Sequence, residues 1–292
     1  MSVLQQGPGA ADVVQAASHK LVAIIGPPNS GKSTLFNRLT GLRQKVANFP
    51  GVTVEHRVGK AHMAGHHEVD LVDLPGVYSM NPRSEDERVS HDVLQGRMEG
   101  LEKPDAILLV LDSTNLNRHL SLAAPILSLG LPTLILLNMA DDLKSRGGKV
   151  NVDLLAAQLG APVALISATR GEGLDAVRRF LTGGIGVPRP VELPVLQDVP
   201  ACRQWARQMA SDAKYAKPAP PVWTRRLDGL FLHPVVGPAV FVLVVLLVFQ
   251  SIFAGARPMM DGIETLVSMT GGAIGGWLGD GWLKSLVVDG IW

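Results

Sequence analysis

The sequence predicts an α/β protein: a doubly wound, mostly parallel sheet, then a short helical linker and a transmembrane helix. Three observations predict it. Short apolar runs alternate with helical segments from residue 21 to about 181. A Gly-rich phosphate loop follows the first of those runs. After Pro234 comes an unbroken apolar stretch, 239–249, with no charge between His233 and Arg257.

The runs 21–25, 69–74, 106–112, 133–137 and 163–166 are rich in Val, Ile and Leu. Nearly continuous apolar character marks parallel strands buried on both faces. Helical candidates separate them: 32–40, 85–95, 119–129, 153–159 and 174–181. Residues 52–63 carry a weaker strand pattern with polar residues interleaved, the mark of an edge strand. The sum is an α/β domain over 20–183, of ordinary domain size.

Before it, 1–19 reads as an Ala/Gly/Gln-rich disordered tail without the cationic start and apolar core of a signal peptide. After it, 184–222 reads as a Pro-rich linker with one short helix at 201–215. Residues 223–292 read as the start of a membrane domain, with a span at about 235–256. As a helix, 238–256 would extend about 28 Å, close to the hydrocarbon thickness of a bilayer. Pro238 sits near its start, where a helix tolerates proline. Arg225 and Arg226 precede it and place the N-terminal side in the cytoplasm. The tail, with Trp277, Trp282 and Trp292 among glycines and charges, reads as an interfacial segment. The pattern 286–292 has no terminating logic, so the sequence reads as part of a longer membrane protein.

Composition narrows the function. The 292 residues carry a net charge of +1, so no electrostatic footprint argues for nucleic acid. The one cysteine, Cys202, allows neither an internal disulfide nor a thiolate zinc site. His62, His66 and His67 cluster near a turn and read as surface residues rather than an iron site.

The motifs carry the chemistry. Gly26-Pro27-Pro28-Asn29-Ser30-Gly31-Lys32-Ser33 fits G-x-x-x-x-G-K-[ST], directly after a strand and opening a helix. Its backbone N–H groups would cradle phosphates, Lys32 would reach the β- and γ-phosphates, and Ser33 would coordinate Mg²⁺. Asp73-Leu74-Pro75-Gly76 fits D-x-x-G: Asp73 would hold Mg²⁺ through a water, and the Gly76 N–H would sense the γ-phosphate. Asn138-Met139-Ala140-Asp141 fits N-x-x-D. There a carboxylate can accept two hydrogen bonds from guanine, a donor pair adenine lacks. Met139 stands where Lys is commoner; its thioether stem can cover the base face. Ser167-Ala168-Thr169 ends the last strand, where a backbone N–H would meet the guanine oxygen. All four motifs end strands, where ligands of parallel sheets bind. The fold class is therefore a Ras-like P-loop GTPase. A soluble Era-like GTPase of ribosome assembly and an ATP-using P-loop enzyme remain alternatives; the apolar run argues against the first and N-x-x-D against the second.

The chain resembles the bacterial ferrous iron transporter B (FeoB) family. The likeness rests on Gly26–Thr34, on Asn48-Phe49-Pro50-Gly51-Val52-Thr53-Val54-Glu55 and on Asp73-Leu74-Pro75-Gly76-Val77-Tyr78-Ser79. Ser84-Glu85-Asp86-Glu87, N-M-x-D at 138–141 and Leu232-His233-Pro234 also fit. The resemblance implies that Thr53 joins Ser33 on Mg²⁺, with Gly51 and Val52 beside it. It implies that Asn29 helps bind K⁺ beside the phosphates. Val77 follows Gly76 and no glutamine comes soon after, so it implies slow, K⁺-stimulated GTP hydrolysis with water held by switch backbone. Asn29, Lys32, Thr53 and Gly76 would be the catalytic set. GTP or GDP, Mg²⁺ and K⁺ are the implied cofactors. Ferrous iron as transported substrate, a lipid bilayer, small Feo accessory proteins and a homo-oligomer are the implied partners. The implied place is the bacterial inner membrane, with the GTP-binding domain in the cytoplasm. Pro27 stands where the family usually has Asn, and 183–221 is shorter than the family's helical domain.

Overall fold

A computed structural model describes residues 20–41, 44–48, 55–62, 68–80, 84–182, 188–277, 281 and 286. They fall into two compact units, Met1–Ala219 and Pro220–Trp292.

The first unit is built on seven strands: β1 (Lys20–Ile25), β2 (Gln44–Asn48), β3 (Glu55–His62), β4 (Glu68–Asp73), β5 (Ala106–Asp112), β6 (Thr133–Asn138) and β7 (Val163–Leu165), in the order β2-β3-β4-β1-β5-β6-β7. The five strands β4-β1-β5-β6-β7 run parallel, and β3 is antiparallel to both of its neighbours. All five predicted apolar runs are strands. Residues 52–63, expected at an edge, supply β3, which lies one strand in. The edge is β2, whose Gln-Lys-Val-Ala-Asn sequence has too few apolar residues to announce a strand. A polar edge with Lys also discourages pairing with other chains.

Side chains of β1, β5 and β6 alternate between two apolar clusters, because successive strand residues face opposite sides. Val22, Ile24, Leu108, Val110, Leu134 and Leu136 join Leu35 and Phe36 of α1 (Lys32–Thr40) and Leu174, Val177 and Leu181 of α7 (Leu174–Thr182). Ala23, Ile25, Ile107, Leu109, Ile135 and Leu137 face the other side. There they meet Val89, Val93 and Leu94 of α2 (Glu85–Gln95) and Leu155 and Leu159 of α6 (Val152–Leu159). Ser84 caps α2: its hydroxyl accepts from the Glu87 N–H at 3.2 Å.

The helix expected over 119–129 is broken. It is resolved into α3 (Leu116–His119), a 3₁₀ turn over Leu120–Leu122 and α4 (Ala123–Leu127). Pro125, inside α4, has no N–H to give the Ser121 carbonyl, so the i→i−4 ladder loses a bond beside the tightened 3₁₀ turn. A short helix that periodicity did not announce, α5 (Ala140–Ser145), follows β6 directly.

The helix expected in the Pro-rich segment is α8 (Val199–Asp212). Its Ala206 and Ala210, followed by Ala213, are fully buried against the α3 side of the sheet. The segment read as a linker is thus packed into the first unit. Small residues at this spacing let the helix backbone approach closely. Lys149 and Ala216 form an antiparallel bridge, and the Ala219 N–H donates to the Arg146 carbonyl at 3.1 Å.

The second unit holds α9 (Val222–Phe231) and α10 (Val236–Trp277). Among the described residues α10 is the one helix long and apolar enough to cross a membrane, with a mean hydropathy of 2.6 over its most apolar window. Phe241, Leu246 and Phe249 are exposed, unlike the side chains of a packed core helix. The sequence reading ends the span near 256; the helix instead continues through Pro258, Asp261 and Glu264. Charges lower its hydropathy but leave the i→i−4 ladder intact, and one internal proline removes a single bond. At 42 residues it is about 63 Å long, so only its charge-free first half matches a hydrocarbon core. Trp282 and Trp292 lie outside the described residues.

The tight α8 contact yields a prediction. Ala210→Leu inserts three heavy atoms where there is no exposed surface, an overpacking cost of about 1–3 kcal/mol. Urea denaturation of the chain should show the midpoint falling accordingly, while Arg207→Leu, on the exposed side, should change it little.

Candidate functional site

The loop Gly26–Ser30 leaves β1 and turns into α1 at Lys32. Two left-handed residues make the turn, Asn29 at φ 61° and Gly31 at φ 87°. Glycine is required here by space as well as by conformation. A Cβ on Gly26 would lie 2.0 Å from the Val110 carbonyl oxygen, and one on Gly31 would lie 2.2 Å from Asn138 Nδ2. No side chain caps the α1 N-terminus. Its first N–H groups therefore face the loop cavity as donors suited to an anion.

Lys32 and Asp73 sit together at this end. The Lys32 ammonium donates to the Pro27 carbonyl at 3.3 Å and is buried. Burial lowers its pKa, and the Asp73 charge opposes that. Ser33 Oγ donates to Asp73 Oδ2 at 2.9 Å. Burial raises the Asp73 pKa; the Ser33 bond and the charges of Lys32 and Arg57 only partly offset it. Asp73 Oδ1 is buried with no hydrogen-bond partner, as is Ser30 Oγ. An orphaned carboxylate oxygen beside a serine hydroxyl fits a hydrated divalent cation.

The segment after β4 lies on the phosphate loop. The Leu74 N–H donates to the Ile24 carbonyl at 3.0 Å and the Val77 N–H to the Gly26 carbonyl at 3.1 Å. Between them Gly76 packs so closely that an added Cβ would be 3.0 Å from Pro28.

The base-side residues converge from two further strand ends. Buried Asn138 donates from Nδ2 to the Ser30 carbonyl at 2.8 Å, and its Oδ1 accepts from the Ala168 N–H at 2.9 Å. One amide thus ties the phosphate loop to the 167–169 loop. Met139 is left-handed, at φ 63°, and starts α5, which carries Asp141. The Asp141 carboxylate meets Arg170 Nε at 3.2 Å. Burial raises its pKa, but hydrogen bonds from Ser167 and its own backbone, with Arg170, bring the net below the usual carboxylate value. Ser167 is buried, and its Oγ lies 3.1 Å from Thr169 Oγ1.

The structure therefore brings together Gly26, Asn29, Ser30, Gly31, Lys32, Ser33, Asp73 and Gly76 at one end. It brings Asn138, Met139, Asp141, Ser167, Ala168 and Thr169 together at the other. Thr34 is exposed on the first turn of α1. Gly51, Val52 and Thr53 lie outside the described residues, as do His66 and His67. His62 pairs with Glu68 across the β3–β4 turn at 3.3 Å. The Cys202 thiol is buried against the Val195 and Leu196 carbonyls, and burial, followed by Asp198, raises its pKa. Sequence reading missed Arg38, whose guanidinium donates to the Ala168 and Thr169 carbonyls from α1. No motif could reveal a contact spanning 130 positions.

Fold and site define a P-loop nucleotide-binding domain of the Ras-like type joined to a candidate membrane helix. Residues 20–181 match the family model described as ferrous iron transport protein B. The chain belongs to the ferrous iron transport protein B family, which sets aside the Era-like alternative. It is similar to the Fe(2+) transporter FeoB of Leptospira biflexa, at 30% identity over 93% of this chain and 49% of that protein. It thus spans about half the length of that relative. A crystal structure of a GDP-bound mutant of the S. thermophilus FeoB G-domain is 40% identical, with a TM-score of 0.52, covering 60% of this chain and 65% of that one. The cytosolic domain of T. maritima FeoB in its GMPPNP form is 34% identical, with a TM-score of 0.54, covering 59% and 68%.

Burial of Asp73 sets a pH dependence. A carboxylate whose folded pKa is raised contributes stability that is present below its unfolded pKa and lost as pH rises through the folded value. In thermal melts without nucleotide or divalent cation, Asp73→Asn should exceed wild type in Tm at neutral pH. The gap should close on acidification below the ordinary carboxylate range.

Proposed function

We propose that the α/β domain binds GTP and GDP with Mg²⁺ and hydrolyses GTP slowly, as the cytoplasmic part of a ferrous iron transporter in the bacterial inner membrane. The observation that carries the reading is Asn138. Its amide joins the phosphate loop to the 167–169 loop, with Asp141 less than one helical turn away. That arrangement serves a ligand with phosphates at one end and a guanine at the other. Family membership and the guanine nucleotides in the S. thermophilus and T. maritima structures support it.

In this reading the 26–34 N–H groups bind the β- and γ-phosphates, and Lys32 moves from the Pro27 carbonyl onto them. Its burial strengthens that contact, because a desolvated ammonium gains more from an anion. Mg²⁺, when bound, neutralises phosphate charge; Ser33, Asp73 and Thr53 would hold it, with Gly51 and Val52 flanking Thr53. Asn29 would hold K⁺ beside the phosphates. Gly76, pressed against Pro28, would present its N–H to the γ-phosphate, and no nearby glutamine positions the attacking water. Ferrous iron, the bilayer, small accessory proteins and a homo-oligomer are the partners proposed for the longer protein. Arg225 and Arg226 support a cytoplasmic face for the segment before α10.

Asp141→Asn replaces a double acceptor with a side chain carrying donors. GTP affinity should fall by about tenfold or more, one unpaired buried donor costing about 1–3 kcal/mol. Affinity for xanthosine triphosphate should rise. Competition binding checks this, and ATP bound by wild type as tightly as GTP would refute base selection by this residue.

GTP turnover should be faster in K⁺ than in Na⁺, and Asn29→Ala should abolish the difference. Phosphate release at matched ionic strength measures it. Equal wild-type rates in both salts would defeat the cation assignment.

A further inference from the structure

The turn 167–171 spends nearly all of its N–H groups internally. Ser167 N–H donates to the Glu172 carbonyl at 3.0 Å, and Gly171 N–H to the Ser167 carbonyl at 2.7 Å. Arg170 N–H donates to Ser167 Oγ at 3.3 Å, and Ala168 N–H to Asn138 Oδ1. Among the described residues, Thr169 N–H alone in this turn makes no hydrogen bond. It is the donor left for a ligand.

Arg38 controls where that donor points. Its Nε donates to the Ala168 carbonyl at 2.9 Å and its Nη2 to the Thr169 carbonyl at 2.5 Å. The Ala168 carbonyl and the Thr169 N–H belong to one trans peptide plane and point in opposite directions. Holding the carbonyl toward α1 therefore holds the N–H away from it. Gly171 makes room: it is left-handed at φ 80°, and a Cβ there would lie 3.3 Å from the guanidinium carbon. A lysine could not substitute fully, because a point-like ammonium lacks the fixed fork that spans two carbonyls. Favourable charge at the α1 C-terminus is a weaker reason for arginine, since any solvated cation supplies it.

We propose that Arg38 is the positioning residue for guanine recognition, and that Thr169 N–H is the donor it aims at the base's 6-oxo group. The proposal rests on the guanine-nucleotide reading above. It makes α1 a rigid link between the phosphates, at Lys32 and Ser33, and the base, at the 167–169 loop. Through it, loss of one end loosens the other.

The test measures dissociation of mant-GDP, and competitive binding of GDP and IDP, on the full chain in detergent. Arg38→Ala should speed mant-GDP release by about fivefold, the effect of one lost hydrogen bond of about 1 kcal/mol. Arg38→Lys should be intermediate. IDP keeps the 6-oxo group but lacks the 2-amino group read by Asp141. Arg38→Ala should therefore weaken GDP and IDP by the same factor, leaving their ratio within twofold of wild type. A distortion that reached Asp141 would not preserve that ratio, and an unchanged circular dichroism spectrum and Tm of Arg38→Ala exclude a fall in the folded fraction, which would scale both nucleotides alike. If Arg38→Ala does not fold, Arg38→Lys carries the test, and a wild-type release rate in it overturns the proposal. An Arg38→Ala release rate within twofold of wild type overturns it, and so does a GDP-to-IDP ratio that changes as much as the rate. A wild-type chain that binds no mant-GDP would overturn the nucleotide reading itself; wild-type binding with unchanged Arg38→Ala release overturns the clamp alone.

Discussion

One buried amide holds the site together. Asn138 reaches from the end of β6 to the Ser30 carbonyl in the phosphate loop and to the Ala168 N–H in the base loop. The three segments come from distant parts of the chain and have few other reasons to meet. A buried amide with both ends satisfied contributes modestly in net terms, but leaving its partners unpaired costs about 1–3 kcal/mol each. That asymmetry explains the glycine at position 31, where any side chain would collide with the Asn138 amide. It also explains why α1 begins without a side-chain cap. The turn is shaped by Asn138 and the two left-handed residues, and its N–H groups stay available.

Most of the sheet was legible because parallel strands buried on both faces must be apolar throughout. Strand β5 is buried at every position, and β6 likewise. The motif residues were legible for a different reason: each ends a strand, so sequence order placed them at one rim of the sheet. What escaped reading lacked a periodic signal. Strand β2 is polar, α5 is a six-residue helix, and the 116–127 region is broken by a proline inside an otherwise helical pattern. Arg38 escaped because its role depends on tertiary contact alone. Charged residues in the last turn of a helix are ordinary, and nothing local separates this one from Arg179 on α7.

The packing of α8 changes how the region before Pro220 is understood. Its alanines meet the core beside α3, and its principal contacts are with α3, the following 3₁₀ turn and α6. The surface 84–95, adjacent to the D-x-x-G segment, is not its main seat. A cavity of about 360 Å³ lies between them, lined by Tyr78, Met80 and Glu87 on one side and by Val199, Cys202 and Arg203 on the other. Tyr78 stands two residues after Gly76 and carries Arg118 over its ring at 4.9 Å.

The base side has a shorter route. Asp141 lies in the first turn of α5, and the chain leaving α5 is bonded to the segment that follows α8. Asn151 N–H donates to the Ala213 carbonyl at 2.9 Å, Lys149 and Ala216 exchange both backbone bonds, and the Arg146 carbonyl accepts from Ala219. Arg146 is also paired with Asp142, one residue from Asp141. Asp141 and the last residues of the first unit therefore belong to one continuous hydrogen-bonded segment. Rigid contacts transmit a shift in position where a void absorbs it. By that argument, a shift of Asp141 would be carried to the end of the first unit through these bonds.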